Sequence, residues 1–125
     1  MDNLRVMVVD DSSITIKKLT QILEQLGHQV VCSCKTGTEA LAYYQQYQPD
    51  IVTMDITMPD MDGIEATQQI ISAFPNALVI MVTSHGQEQM VIESIEMGAK
   101  GYVLKPIKAD KLANMMADVY KKYKS

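Results

Sequence analysis

Apolar residues fall into two alternating rhythms along the chain. Leu4 to Val9, Gln29 to Ser33, Ile51 to Met54, Leu78 to Val82 and Tyr102 to Leu104 are short, largely apolar runs of strand length. Between them apolar residues recur every three or four positions, as on one face of a helix. Leu19, Ile22, Leu23 and Leu26 form the first such stripe, with Gly27 as a stop. Ala40, Leu41, Tyr44 and Tyr47 form the second, with Pro49 just beyond it. Ile64, Thr67, Ile70, Ile71 and Phe74 form the third, ending before Pro75-Asn76. The fourth, Gln87 to Met97, has a looser stripe and Gly98 as its cap; Leu112, Met115, Met116 and Val119 define the last. Five strand-helix alternations predict an α/β sandwich, a parallel sheet with helices on both faces.

Polar residues interrupt this pattern at telling places. Asp10-Asp11 follow the first strand, Asp55 closes the third, Thr83-Ser84 close the fourth, and Lys105-Pro106 close the fifth. In a parallel sheet all strands point the same way, so these residues gather at one edge, where ligands bind in such folds. Three carboxylates brought together repel one another and call for a cation. An all-oxygen donor set suits a hard ion, Mg²⁺ (or Mn²⁺). Asp55 can then serve as a nucleophile that forms an acyl phosphate, with Lys105 neutralising charge and Thr83 donating a hydrogen bond to a phosphoryl oxygen.

Composition narrows the field without changing it. The 125 residues suit one domain, residues 1–125, and 47% apolar with 21% charged is ordinary for a globular chain. A net charge of -4 argues against a nucleic-acid binder. No stretch is long and apolar enough for a membrane span, and the N-terminus lacks a signal-peptide layout, so a cytoplasmic location is expected. Cys32 and Cys34 lie two apart on a strand, point the same way, and are read as reduced thiols. The ten methionines read as core filler.

As a set, Asp10-Asp11, the segment from Met54 to Gly63 with Asp55 and Pro59, Thr83-Ser84, Gly98-Ala99, Tyr102 and Lys105-Pro106 resemble the receiver domain of two-component response regulators, in particular the stand-alone chemotaxis type. Their order and spacing cover nearly the whole chain. The resemblance implies a flavodoxin-like three-layer sandwich with strand order 2-1-3-4-5. It implies phosphoryl transfer from a histidine kinase or phosphotransfer protein to Asp55, and Mg²⁺ held by Asp11, Asp55 and the Thr57 backbone carbonyl with Asp10 assisting. It implies a cis peptide at Lys105-Pro106. Thr83 and Tyr102 would form the switch, Tyr102 swinging inward when Thr83 moves, and the fourth helix, fifth strand and fifth helix (near Lys100, Tyr102 and Lys111) would carry the output to a downstream protein. A monomer or a weak activation-dependent dimer is expected. With no effector region after the last helix, the message would go to a separate target or be passed on in a relay. Thr57 and His85, which flank the attacking water in this family, offer no carboxylate, which implies an intermediate or slow phosphoryl lifetime.

Each motif also has a plainer use. Asp11, Ser12 and Ser13 are good helix N-caps, Thr83-Ser84 could cap the fourth helix, and Pro59 and Asp62-Gly63 are turn signals. Lys105 could be a loop lysine, Tyr102 a half-buried strand aromatic, and Lys121, Lys122 and Lys124 a solvated helix end. His28 and His85 are both read as surface residues. Three rival functions share parts of the pattern. A haloacid-dehalogenase-type phosphatase would need an acid where Thr57 stands. A flavodoxin-like electron carrier would need a phosphate-cradling loop in place of Asp10-Asp11. A degenerate receiver would lack the complete cluster.

Overall fold

The computed structural model describes residues 3–58 and 60–124; Pro59, expected to mark a turn, and the N-terminal Met1-Asp2 lie outside the described residues. Strands β1 (Arg5–Val9), β2 (Gln29–Cys34), β3 (Ile51–Asp55), β4 (Val79–Thr83) and β5 (Gly101–Leu104) alternate with helices α1 (Ser13–Gln25), α2 (Gly37–Tyr47), α3 (Gly63–Ala73), α4 (Glu88–Glu96) and α5 (Ala109–Lys124). All neighbouring strands pair in parallel, in the order β2-β1-β3-β4-β5. The expected architecture and strand order are therefore both present, with strand ends within one residue of the sequence reading, while α1 begins six residues before its apolar stripe and α5 runs five residues beyond its own.

The two-residue period of the strands divides the core into two layers. Val6 and Val8 of β1, with Ile51, Ile80 and Val103, pack against Leu19 and Leu23 of α1 and Leu112 and Met116 of α5. Met7 and Val9, with Val52, Met54, Val79 and Met81, face Ala40 and Tyr44 of α2 and Ala66 and Ile70 of α3. β3 and β4 are buried at every position because helices cover both faces. Each large apolar side chain removed from water stabilises the fold by roughly 1.5–3 kcal/mol. Edge strand β5 differs: Gly101 and Val103 are buried while Tyr102 and Leu104 face out.

Among the described residues, three helices carry side-chain caps, and one of these, Ser12, is marked as a cap in the sequence. Ser12 Oγ accepts from Thr15 N, Thr36 Oγ1 from Glu39 N, and an Asp62 carboxylate oxygen from Glu65 N. Thr83 and Ser84 do not cap α4, whose N-cap, Gln87, makes no capping bond to the helix. Cys32 and Cys34 are free thiols, and burial pushes Cys34 up to about 12.

His28 corrects the sequence reading. It is buried, not at the surface, and its Nδ1 accepts a hydrogen bond from Leu4 N at 3.1 Å. The turn after Gly27 folds it back beside β1, so the ring satisfies a backbone donor at the start of the sheet.

Candidate phosphoacceptor site

Register explains how distant residues meet. Val9 pairs with both Cys34 and Met54, and Asp55 pairs with Val82, so β1, β3 and β4 end nearly level. Asp10, Asp55 and Thr83 consequently project from one edge of the sheet, and Lys105 follows the end of β5, where Leu104 pairs with Thr83. Carboxylate oxygens of Asp10, Asp11 and Asp55 all lie within 4.8 Å of one another. Asp10 and Asp55 are buried and Asp11 is exposed, so the cluster has a dry floor and a wet rim.

Lys105 reaches into this cluster. Its Nζ lies 3.4 Å from Asp10 Oδ2 and 3.4 Å from Asp55 Oδ1. One ammonium does not satisfy the floor. Asp10 Oδ1 accepts from Ser12 N at 2.9 Å, whereas its buried Oδ2 has no hydrogen-bond partner, since the ammonium is near it but off hydrogen-bond alignment. Burial, and then the Asp10 charge, push the Asp55 carboxyl up to about 6, with Lys105 pulling the other way. A buried, underpartnered carboxylate beside two others is what a hard divalent cation would complete, so the residues fit Mg²⁺ or Mn²⁺. The Lys105-Pro106 bond is cis, as the resemblance implied.

The loop after Asp55 is tied down from two sides. Gly63 N donates to Ile56 O at 2.6 Å, and an alanine Cβ at 63 would run into the Asp55 carbonyl, 2.9 Å from its carbon. Asp60 accepts from Gly37 N and Thr38 N, at 3.1 and 2.9 Å, and from the Thr38 hydroxyl; these bonds hold its carboxyl down at about 2. Neither contact announces itself in the sequence, because both link residues through space.

The two positions that flank Asp55 in the resemblance have different settings. Thr57 is exposed, and its hydroxyl accepts from Gln87 Nε2 at 2.8 Å. His85 is exposed, and its ring makes no hydrogen bond among the described residues. Thr83 is buried, and its hydroxyl points not into the carboxylates but to Gln87 Oε1, at 2.9 Å. Gln87 was not singled out from sequence; its signal is only a polar residue four places after Thr83. Tyr102 stands outward, 44% exposed.

This geometry coincides with a family. Residues 6–117 match the response regulator receiver domain. The chain belongs to that family. Chemotaxis protein CheY of Thermotoga maritima is 40% identical to this receiver over 117 residues, covering 94% of this chain and 98% of its own. CheY of Bacillus subtilis is 41% identical over 108 residues, covering 86% and 90%. Among solved structures, the CheX-CheY-BeF3-Mg complex of Borrelia burgdorferi superposes with a TM-score of 0.88 at 39% identity, covering 93% of this chain and 88% of that one. The receiver is thus a CheY-like member of two-component signalling. Among the described residues, no helix is long and apolar enough to cross a membrane.

Proposed function

We propose that residues 1–125 form a single receiver domain that accepts a phosphoryl group on Asp55 from the phosphohistidine of a histidine kinase or phosphotransfer protein. The observation that supports it most is the convergence of Asp10, Asp11 and Asp55 with the Lys105 ammonium 3.4 Å from two of them. An Asp55 carboxylate oxygen attacks phosphorus as the P–N bond to the donor imidazole breaks. The electron pair stays on the imidazole nitrogen, and the product is an acyl phosphate. Lys105 offsets the charge that gathers on the phosphoryl oxygens. Asp10, Asp11, Asp55 and the Thr57 backbone carbonyl would hold Mg²⁺ or Mn²⁺, which when bound supplies positive charge to the phosphoryl oxygens and to the carboxylates.

Phosphorylation exchanges about one negative charge for nearly two and adds strong acceptors. The Thr83 hydroxyl answers by donating to a phosphoryl oxygen, and the space it leaves admits Tyr102. The surface that changes is the groove between α4 and β5, ≈ 520 Å³, floored by Val91, Ile92, Ile95, Tyr102 and Leu104. A downstream protein target fits there, as chemotaxis-type signalling requires, and the receiver acts as a monomer or a weak dimer when activated. Thr57 and His85, neither a carboxylate, give the acyl phosphate an intermediate or slow decay; a decay rate unmoved by replacing both removes them from that role.

Acetyl phosphate with and without Mg²⁺, read by intact mass, tests the central step. One phosphoryl group is expected, dependent on Mg²⁺ and absent in Asp55→Asn. No addition to the wild type from acetyl phosphate or from any phosphohistidine donor would leave a receiver fold without receiver chemistry.

A further inference from the structure

Gln87 joins the two sides of the phosphoacceptor site through one carboxamide. Its Oε1 accepts from Thr83 Oγ1 at 2.9 Å and from Ser84 N at 2.7 Å, while its Nε2 donates to Thr57 Oγ1 at 2.8 Å. The orientation is fixed by chemistry: Ser84 N can only donate, so the oxygen must face it and the amide nitrogen must face Thr57. A threonine hydroxyl has one proton. The 2.9 Å contact to Gln87 holds it better than the 3.3 Å approach to Ser84 O, so in this state it is committed to Gln87.

That commitment conflicts with the site's chemistry. A Thr83 proton held by Gln87 is not available to an oxygen on Asp55, and Thr57, two residues after Asp55, is tethered to the same amide. We infer that Gln87 is a positioning residue, a latch that stabilises the unswitched receiver and is broken when the phosphorylated site takes the Thr83 hydroxyl. This inference rests on Asp55 being the phosphoacceptor. Gln87 does not cap α4, so its side chain can be changed without removing a helix cap. Ser84 is exposed, so its freed N–H passes to water.

The test uses trifluoroberyllate, a phosphoryl mimic, at saturating Mg²⁺. Gln87→Met keeps the length of the side chain and removes all three bonds. It should bind trifluoroberyllate about fivefold more tightly than wild type, the equivalent of one net hydrogen bond. In a Thr83→Ala background the same change should do nothing, because the latch acts through the Thr83 hydroxyl. In the metal-free protein, the Thr83 methyl resonance of Gln87→Met should shift part of the way toward its trifluoroberyllate-bound position, which a merely structural role for Gln87 would not produce. Equal affinities for wild type and Gln87→Met, or an equal gain with and without the Thr83 hydroxyl, would overturn the latch while leaving the receiver chemistry intact. No response to trifluoroberyllate in wild type or any variant would overturn both.

Discussion

The Lys105 ammonium stands 3.4 Å from Asp55 Oδ1 across fifty residues of chain. Both its charge and its hydrogen bond favour the ionised carboxylate, against burial and Asp10, which disfavour it. Lys105→Met should therefore raise the Asp55 titration midpoint above about 6 in the metal-free protein. The Asp55 carboxyl ¹³C shift followed against pH reads this directly; an unmoved midpoint would mean that the ammonium spends little time at Asp55.

Asp55 also makes stability depend on pH. Its folded value, about 6, lies above the unfolded value, so the native state holds the proton more tightly. The stabilisation from this group is complete below about pH 4 and is lost as pH rises through about 6, since the folded state binds more protons in that window. Asp55→Asn should remove that loss and be more stable than wild type at pH 7 without metal, by on the order of 1–3 kcal/mol. Urea unfolding at pH 4 and pH 7 measures the difference. Mg²⁺, by binding the native wild type, should narrow the gap.

His28 works in the opposite sense. Burial lowers its pKa, and its Nδ1 must stay unprotonated to accept from Leu4 N. The unfolded chain thus takes up a proton that the folded one resists. The contribution is complete above about pH 6.5 and is lost as pH falls through the lowered folded value, at a slope of at most about 1.4 kcal/mol per pH unit. The difference in unfolding free energy between wild type and His28→Gln, taken from pH 7.5 down to 5, should shrink steadily. A constant difference would show that the ring titrates normally in the fold.

Gly63 and Gly86 offer a matched pair. A Cβ at 63 would meet Asp55 and Ile56 backbone atoms, including Ile56 Cα at 2.9 Å, and backbone cannot step aside. Gly86, at φ +92°, has nothing within 4 Å of such a Cβ, so only conformational strain opposes it. Gly63→Ala should cost more than about 2 kcal/mol and weaken Mg²⁺ binding, whereas Gly86→Ala should cost about 1 kcal/mol and leave Mg²⁺ binding alone. Thermal unfolding with Mg²⁺ titration checks both.

The acidic cluster was legible because each of its members ends an apolar run, and a parallel sheet brings such ends together whatever the sequence distance. Strand order was not legible from pattern and came from resemblance. Asp10-Asp11 also illustrate mixed use: the helix cap is Ser12, and Asp10 both accepts from Ser12 N and joins the cluster. His28 was misread because a histidine after a turn glycine looks exposed until β1 and β2 are paired. Gln87 was invisible for a similar reason. Its three partners lie at the end of β4, just after it, and in the loop after β3, and no period along α4 marks a side chain that turns back across the N-terminus of the helix.

Lys105 follows β5 at one edge of the sheet, yet its ammonium sits beside carboxylates that follow β1 and β3. The side chain thus spans the end of β4 and acts as a strap that ties the edge strand to the interior of the sheet.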